Sequence, residues 1–171
     1  MFKITKMFLL LVFTFFANLV FAENGERVTD FNGNFSYCPP LGWDVTEFPG
    51  LKYKVVLGPT EENFRVNINL ADEEYNGSLR AYVDLSISQL GKIFEDYKLL
   101  EQSPFRTNSG IIGERIIINT RQMGFFLRQI FYFLSAPNNK YFVIACTVPD
   151  NVADGYLSIF EESMKTFEFT Q

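Results

Sequence analysis

Histidine is absent from all 171 residues. That removes Ser-His-Asp and Cys-His nucleophile systems and every His-based zinc site. Cysteine is nearly absent: Cys38 and Cys146 are the only two, too far apart in sequence for a Cys-x-x-Cys redox pair. Neither Gly-x-Gly-x-x-Gly nor Gly-x-x-x-x-Gly-Lys-Ser occurs, so no glycine loop is built to cradle a phosphate. Basic residues are in deficit, with 15 Lys and Arg against 20 Asp and Glu. Nucleic-acid binders carry basic patches, so nucleic acid is a poor partner. An acidic chain also gains no electrostatic hold on anionic membranes. The acids fall on expected loop and helix surfaces, a poor setting for glycosidase-like carboxylate pairs. No catalytic or metal-binding constellation stands out, and no cofactor is implied.

What the chain does have is apolar patterning. Glu114 to Thr120, Phe125 to Leu134 and Tyr141 to Val148 are rich in Ile, Val, Phe and Tyr, which suit a pleated, packed surface. Arg121-Gln122-Met123-Gly124 and Ser135-Ala136-Pro137-Asn138-Asn139 separate them. Breaks this short permit only antiparallel neighbours, so the three runs form a meander. In the middle run Phe125, Leu127, Gln129, Phe131 and Phe133 alternate with Phe126, Arg128, Ile130, Tyr132 and Leu134. Both faces are mostly apolar, so both need cover. The expected fold class is therefore α/β in the α+β sense: an antiparallel sheet with helices packed on it.

The first 22 residues read as a secretory signal peptide. Lys3 and Lys6 precede an apolar stretch, Met7 to Val20, and Val20-Phe21-Ala22 supplies a loose cleavage motif. An uncleaved anchor is the alternative, and it would be the only membrane attachment. Cleavage would remove two lysines and no acid, leaving 149 residues with net charge −7. That length suits one domain, residues 23–171. The chain is thus expected to be exported, periplasmic or extracellular. Export permits a bond between Cys38 and Cys146; two separate buried thiols is the other reading.

Glu23 to Asn34 reads as a loose polar lead-in. Short extended pieces follow at Phe35–Cys38 and Asp44–Pro49, with Trp43 between them as either a ligand platform or a core plug. Leu51 to Leu57 reads as a strand closed by Gly58-Pro59. Phe64 to Leu70 alternates with Arg65, Asn67 and Asn69, giving a hairpin with one polar face. Asp72-Glu73-Glu74 reads as a solvated loop. Ser78 is an N-cap for a helix from Leu79 to about Asp96, with Leu79, Tyr82, Val83, Ile87, Leu90, Ile93 and Phe94 as its apolar stripe. Pro104 predicts an edge strand before the meander. Asp150 or Asn151 is expected to cap a last helix, with Glu161-Glu162 on its outer side.

Polar residues inside the meander are the oddity. A tight hairpin puts Glu114 and Gln129 on one face and Arg115 and Arg128 on the other. They either line a pocket or partner surface, or form ordinary rim hydrogen bonds and ion pairs.

Phe35-Ser36-Tyr37-Cys38-Pro39-Pro40-Leu41-Gly42-Trp43 is similar to the strand, Pro, Gly-Trp opening of the PsbP-like superfamily. The hairpin ending Asn67-Ile68-Asn69, the long helix, Gly113 leading into the strands, Arg128-Gln129 and Tyr141 to Pro149 follow the same order. The resemblance implies an α/β/α sandwich and a non-enzymatic accessory or binding role, and it carries no catalytic residues. Fold does not fix function. The expectation is an exported accessory protein that binds a protein partner in the cell envelope. Carriage of a small apolar ligand or lipid is the alternative, suggested by the many aromatic residues.

Overall fold

The computed structural model describes residues 23–137 and 139–170; the expected signal segment, 1–22, lies outside the described residues. In chain order the strands are β1 (Val28–Asp30), β2 (Phe35–Tyr37), β3 (Asp44–Thr46), β4 (Val55–Glu61), β5 (Phe64–Glu74), β6 (Glu95–Arg106), β7 (Ile112–Gln122), β8 (Phe125–Ser135), β9 (Lys140–Pro149) and β10 (Glu168–Phe169). Helix α1 (Leu79–Ile93) lies between β5 and β6. A 3-10 turn (Asp150–Gly155) and helix α2 (Leu157–Lys165) follow β9.

The meander is the centre of the molecule. Among the described residues, one sheet has the order β3-β4-β5-β9-β8-β7-β6 and a smaller one β1-β2-β10. All the pairings are antiparallel. Gln122 pairs with Phe125, so only Met123 and Gly124 turn the β7–β8 hairpin. Both have positive φ, 50° and 87°, the signature of a type I′ turn whose twist matches the strands. That turn fixes register, and register fixes which residues are buried.

Each face of the sheet has its own cover. On one face Tyr82 and Val83 of α1 pack with Ile116, Ile118, Phe131, Phe133 and Tyr141. On the other, the small sheet and α2 close over Ile68, Ile117, Ile130, Tyr132, Phe142, Ile144 and Val148. The result is the expected α+β layering. Ser78 does cap α1, its side chain accepting from the Ala81 N–H. β6 is an edge strand with two bulges and Pro104, devices that blunt an edge. Among the described residues no helix is long and apolar enough to cross a membrane.

Several local expectations are corrected. The lead-in contains β1, and Asn24 bridges to Pro40. β4 does not stop at Gly58-Pro59; a register shift between Leu57 and Thr60 absorbs the proline as a bulge. Asp72-Glu73-Glu74 is not a loop, because β5 stays paired with β9 as far as Glu74–Lys140. Asp72 is held by Lys52, Lys140 and Tyr53, which is why an acid sits in a strand. α1 ends at Ile93, not Asp96, and Ile93 itself is 67% exposed. The last helix starts with a 3-10 turn that has no side-chain cap. Glu161 faces inward to Arg115 instead of outward.

Candidate functional site

The meander's polar residues share faces as expected but do not converge. Glu114 lies opposite Phe133, and Gln129 lies opposite Ile118. They point to the α1 face, yet four residues of strand separate those rows, about 13 Å. Arg115 and Arg128 are similarly far apart on the closing face. Glu114 accepts from Gln102 at 2.9 Å and sits 3.6 Å from Arg80. Gln129 accepts from Gln122 at 2.9 Å and donates to Thr147 at 3.4 Å.

The two arginines act as clamps. Arg115 bonds Glu161 of α2 and Glu101 of β6. Arg128 bonds Asp150 and Asp154 of the 3-10 turn, both at 2.6 Å. Together they pin both ends of the closing segment to the sheet. Arg115 is partly buried between two carboxylates, and breaking such a pair strands its partners. Arg115→Ala is expected to cost about 1–2 kcal/mol of stability in urea unfolding. A variant of unchanged stability would contradict the clamp.

Trp43 packs on the core at the closing face, with its ring 5.8 Å from Phe160 and nearly perpendicular to it. Cys38 is half-buried and Cys146 buried, and both are free thiols here. Tyr37 and Cys146 belong to the same buried cluster. The Cys38 backbone is tied to Thr166 and Ser163.

What the candidates miss is a groove beside α1. The helix packs mainly on β6, β7 and β8; Tyr82 also stacks on Tyr141 of β9 and donates to Glu73 of β5, and the rest of β9 and β5 on that face is only partly covered. Tyr82, Ser86, Gln89, Leu90 and Ile93 form one wall. Ala71, Val143 and Phe131 form the apolar part of the floor. Asn67 and Asn69, bonded to each other at 2.6 Å, continue the floor as polar ground. The Arg65–Asp44 pair, at 2.8 Å, makes the far rim. The sequence signal was present in two parts: the polar alternation of Phe64–Leu70, and an apolar stripe on α1 longer than its packing uses.

Several titratable groups of the domain are shifted by their surroundings. Burial pushes the Tyr82 phenol up, and its hydrogen bond to Glu73 adds to that. Burial also raises Cys146 well above the thiol range. Tyr156 is pushed up to about 12 by burial and by Glu61. Asp72 and Glu101 are lowered. Each of these shifts moves away from the neutral range a general acid or base needs.

Sheet, single flanking helix and closing layer define an α+β scaffold with one half-open sheet face. The fold is PsbP-like, and solved structures place it there. The cyanobacterial PsbP (CyanoP) of Synechocystis sp. PCC 6803 is similar with a TM-score of 0.62 at 11% identity, covering 85% of this chain and 92% of its own. LpqN of Mycobacterium tuberculosis, involved in cell envelope biogenesis, is similar with a TM-score of 0.62 at 12% identity, covering 87% of each chain. PA94 of Pseudomonas aeruginosa, a protein of unknown function, gives 0.59 at 10% identity over 84% and 96%. No family model and no curated protein sequence matches the chain.

Proposed function

We propose that this chain is an exported, non-enzymatic accessory protein of the cell envelope that binds a protein partner along the groove beside α1. The observation that carries this is the partly covered half of the sheet face beside α1. Ile93, 67% exposed, and the partly buried Leu90 continue α1's apolar stripe into that groove. An apolar wall beside a floor of amides and short side chains suits a peptide surface, which brings both apolar groups and backbone hydrogen bonds. The likeness to LpqN, an envelope protein by its description, supports the compartment.

Carriage of a small apolar ligand has less support. The groove holds about 180 Å³, below the roughly 300–1,000 Å³ of pockets that enclose a small molecule. The aromatics that suggested a carrier are used as core: Phe35, Phe142 and Phe167 pack ring on ring.

A photo-cross-linking residue in place of Ala71 or Ile93, in cells that export the protein, tests the reading. A discrete protein adduct is expected at both positions and none from Ser158, which is exposed on α2. Ala71→Arg, which fills the groove floor, is expected to reduce recovery of that partner about tenfold or more. Equal adducts at all three positions, or none, would refute a groove-bound partner.

A further inference from the structure

Two turns at one end of the molecule hold apolar side chains out in solvent. Phe31 is 85% exposed in the β1–β2 turn. Phe48 and Leu51, 58% and 49% exposed, lie in the β3–β4 loop. Neither turn is loose. Asp30 accepts from the Gly33 N–H at 2.6 Å. Gly33 lies so close to Tyr53 that a Cβ there would stand 2.8 Å from the ring. In the second turn the Leu51 N–H donates to the Phe48 carbonyl at 3.1 Å. Pro49 and Gly50 lie between, with Gly50 at φ 86°, the pattern of a type II turn. That turn sets Phe48 and Leu51 side by side. The exposure is built by the backbone at both sites.

An open depression of about 430 Å³ is lined by residues from both turns, Phe48 and Leu51 among them. Its charges are of both signs: Asp30 and Glu47 against Lys52 and Lys54. Lys52 is engaged by Asp72, so Lys54 is the cation left for a ligand, and Asp30 and Glu47 are the anions. A slot with a cation and carboxylates between apolar tips complements a zwitterion that carries an apolar body. We infer that this end of the molecule is a docking surface for zwitterionic phospholipid, with the headgroup phosphate toward Lys54 and its ammonium toward Asp30 and Glu47. Phe31, Phe48 and Leu51 enter the acyl boundary on either side. Separate apolar tips on two turns suit a fluid surface that closes around each of them, whereas a protein hot spot is a contiguous centre inside a rim. The mixed charge gives anionic lipid no advantage. This surface is distinct from the groove beside α1, and it encloses no lipid.

Flotation of the exported protein, purified without detergent, with dioleoylphosphatidylcholine vesicles tests the inference. The wild type is expected to float. Phe31→Ser with Phe48→Ser is expected to lower the partition about tenfold or more, since two aromatic side chains lose their burial. Lys54→Glu is expected to lower it severalfold, with unchanged circular dichroism in both variants. Replacing a third of the lipid by dioleoylphosphatidylglycerol is expected to add nothing. A wild type that stays in solution, variants that float equally, or flotation that rises with the anionic lipid would each overturn the inference. If the wild type stays in solution while a photo-cross-linker at Phe31 captures a protein, the tips belong to a protein interface.

Discussion

Phe142→Ala is expected to remove about 3–5 kcal/mol of stability, the usual range for deleting a buried phenylalanine. Phe142 is buried on β9. Its ring lies 5.3 Å from Phe35, 5.4 Å from Phe169, 5.9 Å from Phe167 and 6.0 Å from Tyr53. Phe35 belongs to β2, Phe169 to β10, Phe167 to the chain just before β10 and Tyr53 to the chain just before β4, so one ring joins the small sheet to the large one. Rings packed at offset or edge angles cannot slide together to refill the space without losing several contacts at once. A domain of this size is stable by only about 5–15 kcal/mol, so the loss is a large part of the total. Three short strands have little independent stability, and the small sheet is expected to detach before the large one melts. A urea titration followed by circular dichroism measures the loss. Phe126→Ala, at an exposed site, is the matched control and should stay within about 0.5 kcal/mol. A Phe142→Ala loss below 1 kcal/mol would mean that this aromatic cluster does not couple the two sheets.

Asp72→Asn is expected to cost about 1–2 kcal/mol at pH 7 and almost nothing near pH 2. Burial alone would raise the Asp72 carboxyl. Hydrogen bonds from Lys52, Lys140 and Tyr53 outweigh it and bring it down from 3.8 to about 2. Its side chain is only 6% exposed. A carboxyl depressed in the folded state binds its proton more readily when unfolded. Its stabilisation is therefore complete above about pH 4 and is lost as the pH falls toward about 2. Solvent around the half-exposed Lys52 screens part of the effect, which keeps the expected figure modest. Stability of wild type and variant measured by urea unfolding at pH 7, 4 and 2 should converge at the acid end. A constant difference at all three values would assign the effect to packing and not to charge.

The meander was legible because three levels agreed. Alternation set the faces, Met123-Gly124 set the turn, and β-branched and aromatic residues filled both sides. The helix start was legible through Ser78, and the edge strand through Pro104. Failures came where a long-range partner overrode a local sign. Asp72-Glu73-Glu74 looks like a loop until Lys52 and Lys140, distant in sequence, arrive beside it. Gly58-Pro59 looks like a stop until the bulge carries the strand past it. The candidate polar residues are dispersed for a similar reason. Arg115 and Arg128 drew attention as charges in apolar strands, but Glu161, Asp150 and Asp154, which they pair with, sit in the closing segment. The groove went unseen because it is made by what α1 leaves uncovered, and periodicity locates a stripe without saying which part of it finds a neighbour.

Trp43 is the one tryptophan in the chain. It stands between β4 and the closing segment, against Tyr156 and Phe160. Gly58 leaves room for it: a Cβ there would come within 2.7 Å of the indole. A single native fluorophore therefore reports on the seam that Arg115 and Arg128 clamp. Its emission should move to longer wavelength as soon as the closing segment lifts, whether or not the large sheet has melted. Loosening of the lid and loss of the fold can then be timed separately in the unlabelled protein.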